Sequence, residues 1–290
     1  MEFSQQGKIG FTALVGLVIV MPILYFTSDR PQEIIAASTE EASEQVAAAG
    51  SDESFAREPA PILPPQPLDY IEVLDSCAPH YEGACVNVRT GPGVEYPAVA
   101  TLRTGVVLRV QKVIHGDDRD WYKITFDEWV RYPERVSHEW YVAADVVQLF
   151  SHLPAEKLAD DAKPVTAKRI LVDRSEQKLF AYDGETLFME QTISTGLDDT
   201  PTPRGQFLIF SKTPTRYMQG PVPGISDQEF DLPGVPWTMY FTNEGGAIHG
   251  AYWHDSFGQQ WSHGCVNLPP PKAKELYEWA DLGTPVTVRD

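Results

Sequence analysis

Residues 262–267 read Ser-His-Gly-Cys-Val-Asn, and His249 precedes the cysteine of this stretch, Cys265, by 16 positions. A cysteine becomes a useful nucleophile when a neighbouring base favours its thiolate, and an imidazole can be that base. Gly264 permits a tight turn just before the cysteine, so that backbone amides can converge on a developing oxyanion. The pattern therefore predicts a Cys–His acyl-transfer site.

The sequence around this motif, residues 167–290, is dominated by strand signals. Two alternating runs at 169–173 and 178–182 precede an Asp183-Gly184 turn, which is a strong hairpin signal. One helix is predicted after the prolines at 269–271, from apolar residues at helical spacing. The Pro/Gly-rich stretch 212–236 predicts a long binding loop or lid. The expected class of this domain, and of the chain, is mainly β.

The motif as a whole resembles the catalytic domain of the L,D-transpeptidase (YkuD-like) family. His249-Gly250 and the SHGCVN stretch match the family pattern at every position. The Thr-Gly pair at 195–196 and the run TPTPRGQF at 200–207 match a second family segment. The resemblance covers about 120 residues. It implies a mixed β-sandwich with one or two helices and an active site under a lid.

The resemblance also assigns roles residue by residue. Cys265 would be the acylated nucleophile, and His249 the general base and later the acid. The carbonyl of Gly250 would orient the imidazole, and amides around His263 and Gly264 would form the oxyanion hole. The expected substrate-binding residues are Ser262, Asn267, Trp253 and Tyr240. Neither a metal nor a cofactor is expected.

The implied substrates are peptidoglycan stem peptides, as acyl donor and as acceptor. Transfer to a second stem would give a cross-link, whereas transfer to water would trim the stem. From the residue types alone, we expect activity to rise between pH 5 and 9 as Cys265 and His249 reach the reactive thiolate state.

Residues 68–150 carry short β-branched and aromatic runs between turn residues, typical of a small barrel. The segments VNVRTGPG (86–93), WYKI (121–124) and WYVA (140–143) resemble bacterial SH3-like domains. Such a domain would contact a wall polymer or act only as a spacer, and the sequence does not choose between these. Residues 127–139 depart from the family pattern as an insertion. A linker is predicted over 151–166.

The N-terminal region predicts an envelope location. Residues 9–26 form 18 uncharged, mostly apolar residues, just long enough to span a bilayer. We expect 1–27 to be a membrane anchor or a cleaved signal segment, and 28–67 to be a disordered Glu/Ala-rich then Pro-rich linker. Either reading places the remaining chain outside the cytoplasm. There, a Cys77–Cys85 disulfide is plausible.

The composition, and the order of histidine and cysteine along the chain, narrow the alternative functions. The net charge of −18 and the absence of a basic run argue against nucleic-acid binding. In another class of wall-directed cysteine hydrolase the cysteine precedes its histidine, the reverse of the order here. A metallohydrolase using His249, His254, His263 and Cys265 lacks a recognisable metal motif. A non-catalytic wall-binding protein is the remaining alternative.

Overall fold

The computed structural model describes residues 65–77, 85–126, 130–158 and 166–290, all of which belong to one compact unit, residues 61–290. The predicted membrane segment 9–26, the whole of 1–27 and most of the predicted linker 28–67 lie outside the described residues. Within the described part of the chain, no helix is long and apolar enough to cross a bilayer.

The first seven strands form one antiparallel sheet in the order β3-β2-β6-β5-β4-β1-β7. The strands are β1 Leu68–Glu72, β2 Val86–Arg89, β3 Ala98–Leu102, β4 Val107–Ile114, β5 Trp121–Thr125, β6 Trp140–Ala143 and β7 Gln148–His152. Two short 3₁₀ turns lie at Pro133–Arg135 and Ala144–Val146. The interior of this seven-stranded sheet contains the fully buried side chains of Val88, Leu108 and Val142. Cys77 and Cys85 form a disulfide with Cα atoms 4.7 Å apart.

The remaining strands form two five-stranded sheets, ordered β11-β10-β9-β17-β12 and β16-β15-β14-β13-β8. The elements are β8 Glu156–Lys157, β9 Lys168–Asp173, β10 Lys178–Asp183, β11 Thr186–Thr192, β12 Gly205–Leu208, β13 Ser211–Val222, β14 Ser226–Tyr240, β15 Ala247–Gly250, β16 Val266–Leu268, α1 Pro270–Trp279 and β17 Pro285–Arg289.

Each of these two sheets is mixed. Strands β9 and β17 are parallel, as are β15 and β16, and the other pairs are antiparallel. The Asp183-Gly184 hairpin joins β10 to β11 as predicted. Helix α1 buries Ala273, Leu276 and Tyr277, which are spaced three and four residues apart along one helical face. The predicted mainly β class, with one α-helix, is confirmed.

The stretch 212–236, expected as a long irregular loop, instead belongs to a long hairpin, β13 and β14. The expectation was wrong because five prolines in 211–240 suggested a broken chain. Two of these prolines, Pro233 and Pro221, lie at register shifts of the ladder, which fall between Arg216 and Met218 and between Gly220 and Val222. A residue at such a bulge stands outside the ladder, so a proline there removes no ladder hydrogen bond.

The seven-stranded N-terminal sheet and the two five-stranded sheets share hydrophobic cores. Tyr70 and Val107 of the first sheet lie in one buried cluster with Trp237, Met239 and other residues of the later sheets. Conversely, Val235 and Tyr252 lie in the cluster that fills the first sheet. Burial of this apolar surface is the main force that holds the two parts together.

Candidate active site

Two adjacent parallel strands bring the histidine and the cysteine together. Strand β15 carries His249 and is buried along its whole length. It pairs with β16 so that His249 lies opposite Asn267. Cys265 immediately precedes β16, two residues before Asn267, and therefore sits at the entrance of the neighbouring strand. The pairing explains why residues 16 positions apart in sequence share one site.

The His249 ring is held in one tautomer. Its Nδ1 lies 3.1 Å from the carbonyl oxygen of Gly250. Because a carbonyl only accepts, Nδ1 carries the hydrogen and Nε2 is left as the basic nitrogen. Burial lowers the pKa of His249 to about 4, opposed by the Gly250 hydrogen bond and reinforced by His254. The imidazole is therefore neutral at neutral pH.

The Cys265 thiol is also held neutral. The side chain is half-buried, and its sulfur lies 3.8 Å from the carbonyl oxygen of Gly245. Burial raises the pKa of Cys265, partly offset by a backbone hydrogen bond from Ala247. At neutral pH the resting pair is therefore a thiol and a neutral imidazole. The thiol would have to give its proton to the imidazole before this sulfur could act as a nucleophile.

Hydrogen bonds from the hydroxyls of Ser262 and Thr202 fix the backbone of the turn that precedes Cys265. Gly264 has a φ of +113°, a conformation that a side chain disfavours. Ser262 Oγ donates to the Cys265 carbonyl at 2.6 Å and accepts from the Gly264 amide at 3.2 Å. Thr202 Oγ1 donates to the same Cys265 carbonyl at 3.3 Å. These bonds fix the backbone on which the sulfur is mounted.

Thr195 and Gly196, called the clasping segment, form hydrogen bonds beside the same turn. The amides of Trp261 and Ser262 both donate to the Thr195 carbonyl, at 2.9 and 3.1 Å. Gly196 forms a parallel bridge with Ser262, and its amide donates to Thr202 Oγ1 at 2.9 Å. A Cβ on Gly196 would lie 2.1 Å from a backbone oxygen of Thr200, so only glycine fits there. The Thr-Gly and Thr-Pro family segments thus have a structural role beside the cysteine.

The sulfur opens into a pocket of about 650 Å³. The pocket is bounded by the β13–β14 hairpin, the loops 199–203 and 242–246, and the turn at 263–265. Arg131, from the insertion in the SH3-like domain, also lines it. Its charged lining residues are Arg131, Arg216, Asp199 and Glu244. Its size suits a peptide segment rather than a single amino acid.

The predicted site residues divide into two groups. Tyr240, His263, Gly264 and Cys265 line the pocket. His249, Gly250, Ser262 and Asn267 are buried behind it, and Trp253 is half-buried with its ring 5.8 Å from that of His249. The contacts of Ser262 and Asn267 are therefore with the protein itself, and Tyr240 is the one residue of the expected substrate-binding set on the pocket wall.

Asn267 is paired with a histidine that sequence reasoning left without a role. The Asn267 amide lies 2.9 Å from His254 Nε2, while the Ser256 amide donates to His254 Nδ1 at 3.2 Å. Since His254 Nδ1 accepts this hydrogen bond, His254 Nε2 carries the ring hydrogen. The side-chain oxygen of Asn267 is an acceptor and is therefore the amide atom that should face His254 Nε2. Burial lowers the pKa of His254 to about 4 as well. A neutral, hydrogen-bonded layer therefore lies behind His249.

Other site residues gave no local signal in the sequence. Gln228 and Phe230 of β14 contact His263, and Gln177 bonds both the amide and the hydroxyl of Thr195. Each of these contacts joins residues that are at least 18 positions apart. Among the described residues, no three His, Cys, Asp or Glu side chains are grouped as a metal site.

The chain matches known proteins in two regions. Residues 167–288 match the family model of the L,D-transpeptidase catalytic domain, and residues 84–132 match that of the bacterial SH3 domain. The catalytic domain of the Enterococcus faecium L,D-transpeptidase is 31% identical, covering 42% of this chain and 96% of that one, with a TM-score of 0.38. The chain belongs to the L,D-transpeptidase family.

Other L,D-transpeptidase structures give similar values. The Enterococcus faecium catalytic domain acylated by ertapenem is 30% identical, covering 43% of this chain and 98% of that one, with a TM-score of 0.38. A mutant of a longer Enterococcus faecium L,D-transpeptidase is 29% identical, with 43% and 50% covered and a TM-score of 0.39. This chain therefore spans half the length of that protein. No curated protein matches the chain significantly.

Proposed function

We propose that this L,D-transpeptidase is a cysteine-dependent acyltransferase that acts on peptidoglycan stem peptides outside the cytoplasm. The observation that carries the proposal is the placement of Cys265. Its sulfur lines a peptide-sized pocket, one strand away from a neutral histidine whose Nδ1 is already committed to Gly250. This arrangement supports the roles of Cys265 as nucleophile, His249 as base and Gly250 as the element that orients the base.

The proposed first half-reaction forms a thioester. His249 Nε2 takes the thiol proton as the sulfur attacks the carbonyl of the residue that precedes a terminal D-residue. The C–S bond forms, the C–N bond to the D-residue breaks, and the imidazolium returns its proton to the departing amine. Amides around the braced 263–265 turn would stabilise the oxyanion.

The second half-reaction releases the acyl group. An amine of a second stem attacks the thioester and gives up a proton to His249, the new amide forms, and the sulfur leaves and is reprotonated. If water attacks instead, the product is a shortened stem with a free carboxylate. The SH3-like domain would contribute to contact with the wall polymer, and the N-terminal segment 9–26 to retention at the envelope.

The test is intact mass spectrometry of residues 61–290 after mixing with ertapenem, which acylates the Enterococcus faecium catalytic domain. We expect a mass increase of one intact ertapenem, because opening a β-lactam ring loses no leaving group. Cys265→Ala should show no increase. The exposed Asp198→Asn, in the loop after the clasping segment, is a matched control and should be acylated like wild type.

Incubation with disaccharide-tetrapeptide then separates the two outcomes of the reaction. Formation of a dimer with loss of one D-residue supports transpeptidation, whereas only a trimmed monomer supports hydrolysis. A folded wild-type protein that forms neither product nor an ertapenem adduct would contradict the proposed chemistry. It would favour the non-catalytic wall-binding alternative, which is checked by sedimentation of Cys265→Ala with purified sacculi.

A further inference from the structure

The insertion in the SH3-like domain, for which the sequence offered no role, contacts the catalytic domain. Its described part, residues 130–139, lies against the β13–β14 hairpin that walls the active-site pocket. The Tyr132 amide donates to Gln219 Oε1 at 2.8 Å, and Gln219 Nε2 donates back to the Tyr132 carbonyl at 3.3 Å. The Tyr132 hydroxyl donates to the Pro221 carbonyl at 2.7 Å.

Arg135 joins the two strands of the hairpin. Its Nη1 donates to the carbonyls of Gly220 at 2.8 Å and of Phe230 at 3.3 Å. Gly220 and Phe230 are directly opposite each other in the β13–β14 ladder. The guanidinium also lies over the Tyr132 ring, 4.2 Å from its centroid. A charged donor shared by a cross-strand pair fixes both strands at the level where the hairpin meets the active site.

The hairpin in turn contacts the catalytic turn through two residues. The Phe230 ring stacks on the His263 ring with centroids 5.4 Å apart and planes 10° apart. His263 Nε2 donates to Gln228 Oε1 at 2.7 Å. His263 is two residues before Cys265, so contacts run from Arg135 through Phe230 to His263 and the nucleophile's own turn. Arg131, in the same insertion, lines the pocket that contains Cys265.

We propose that Tyr132 and Arg135 are positioning residues for the transferase reaction, so that the SH3-like domain completes the active site of the catalytic domain. This proposal rests on the proposed function for its reaction. The insertion holds the hairpin so that Phe230 and Gln228 fix His263, and His263 fixes the turn that carries Cys265 and the oxyanion amides. A displacement of such groups by about 1 Å is enough to lower a rate by up to a hundredfold.

The experiment compares acylation by ertapenem in wild type, Arg135→Ala, Arg135→Lys and Tyr132→Phe, all over residues 61–290. Arg119→Ala is the matched control, because Arg119 lies in the same domain and pairs at 3.4 Å with the exposed Asp145. We expect Arg135→Ala to lower the second-order rate constant about tenfold, and Arg135→Lys to recover most of it, since an ammonium can still donate to both carbonyls. Tyr132→Phe should show a smaller loss, and Arg119→Ala none.

A second readout separates positioning from loss of the nucleophile. Alkylation of Cys265 by iodoacetamide needs only the thiol, so Arg135→Ala should react with iodoacetamide as wild type does while its ertapenem rate falls. Thermal unfolding identifies any variant that is merely unfolded, and Tyr132→Phe then replaces Arg135→Ala as the informative variant. Equal ertapenem rates in wild type and folded Arg135→Ala would overturn the proposal.

The two proposals fail in distinguishable ways. If wild type is not acylated at all, the proposed function is what fails. The positioning proposal is then decided by amide hydrogen exchange over residues 226–231 and 262–265. Faster exchange in both segments of Arg135→Ala, but not in Arg119→Ala, supports it. Unchanged exchange in 262–265 overturns it.

Discussion

At the scale of single residues, burial shifts the pKa values of the two proposed reacting groups in opposite directions and leaves both groups uncharged. It lowers the pKa of His249 to about 4 and raises that of Cys265. Charged thiolate and imidazolium therefore do not dominate the resting state, and in the proposed reaction the proton moves to Nε2 during attack. The hydrogen bond from Nδ1 to the Gly250 carbonyl keeps Nε2 unprotonated and available for this transfer.

This protonation state changes the pH profile expected from residue types alone. A base with a lowered pKa stays active until the pH falls towards that pKa, so we expect the ertapenem acylation rate to be nearly level from about pH 6 to 8. The rate should fall below this range as His249 becomes protonated, with a midpoint near its pKa of about 4. The measurement is the acylation rate as a function of pH, over the range in which the protein stays folded. A midpoint near 6.5, the ordinary value for histidine, would show that burial does not control this group.

At the scale of elements, the turn entering β16 depends on one left-handed residue. Gly264 has a φ of +113°, yet a Cβ there would meet no atom closer than 3.8 Å. The cost of Gly264→Ala is therefore backbone strain of about 1–2 kcal/mol rather than a clash. Relief of that strain would rotate the peptide groups that flank the nucleophile.

We expect Gly264→Ala to lower the ertapenem acylation rate at least about tenfold, because the oxyanion amides are displaced. Gly258→Ala is the matched control, since Gly258 has a similar φ of +96° but does not line the pocket. Both variants should lose comparable thermal stability, and only the first should lose activity. An equal loss of activity in the two variants would contradict a special role for this turn.

The hairpin β13–β14 shows where sequence reasoning succeeds and where it does not. Alternation in β9 and β10, the Asp183-Gly184 turn and the apolar face of α1 are local patterns, and each predicted its element. The two strands of the hairpin pair with register shifts near its prolines, and no local sequence pattern indicates those shifts. Likewise the His–Cys motif predicted that its histidine and cysteine share one site, whereas Phe230 and Arg135 join the site through contacts between residues 33 and 95 positions apart in the chain.

At the scale of the whole molecule, the two domains recognised in the sequence do not have separate interiors. Tyr70 and Val107 share a buried cluster with Trp237, and the rings of Phe150 and Trp237 lie 5.6 Å apart. Lys274 of α1 pairs at 2.7 Å with Glu72 of β1, whose side chain is buried. Separating the domains would expose this apolar surface and leave a buried carboxylate without its cation.

We therefore expect residues 61–290 to unfold in one cooperative transition. The test is scanning calorimetry, in which we expect a single peak whose calorimetric enthalpy equals the van't Hoff enthalpy. Residues 167–290 alone should unfold at a lower temperature, or fail to stay soluble, because Trp237 loses its contact with Phe150 and Lys274 loses its pairing with Glu72. Two resolved transitions in the longer chain would show that each domain is stable by itself.

The Cys77–Cys85 disulfide has a practical consequence for measuring this enzyme. Of the three cysteines in the chain, the bond consumes two, and only Cys265 keeps its sulfhydryl. A colorimetric thiol reagent applied without reductant therefore counts Cys265 directly, at one equivalent per intact molecule. The same stoichiometry gives the concentration of molecules whose Cys265 is unoxidised in any preparation, so that rate constants of different variants can be normalised to available thiol instead of total protein.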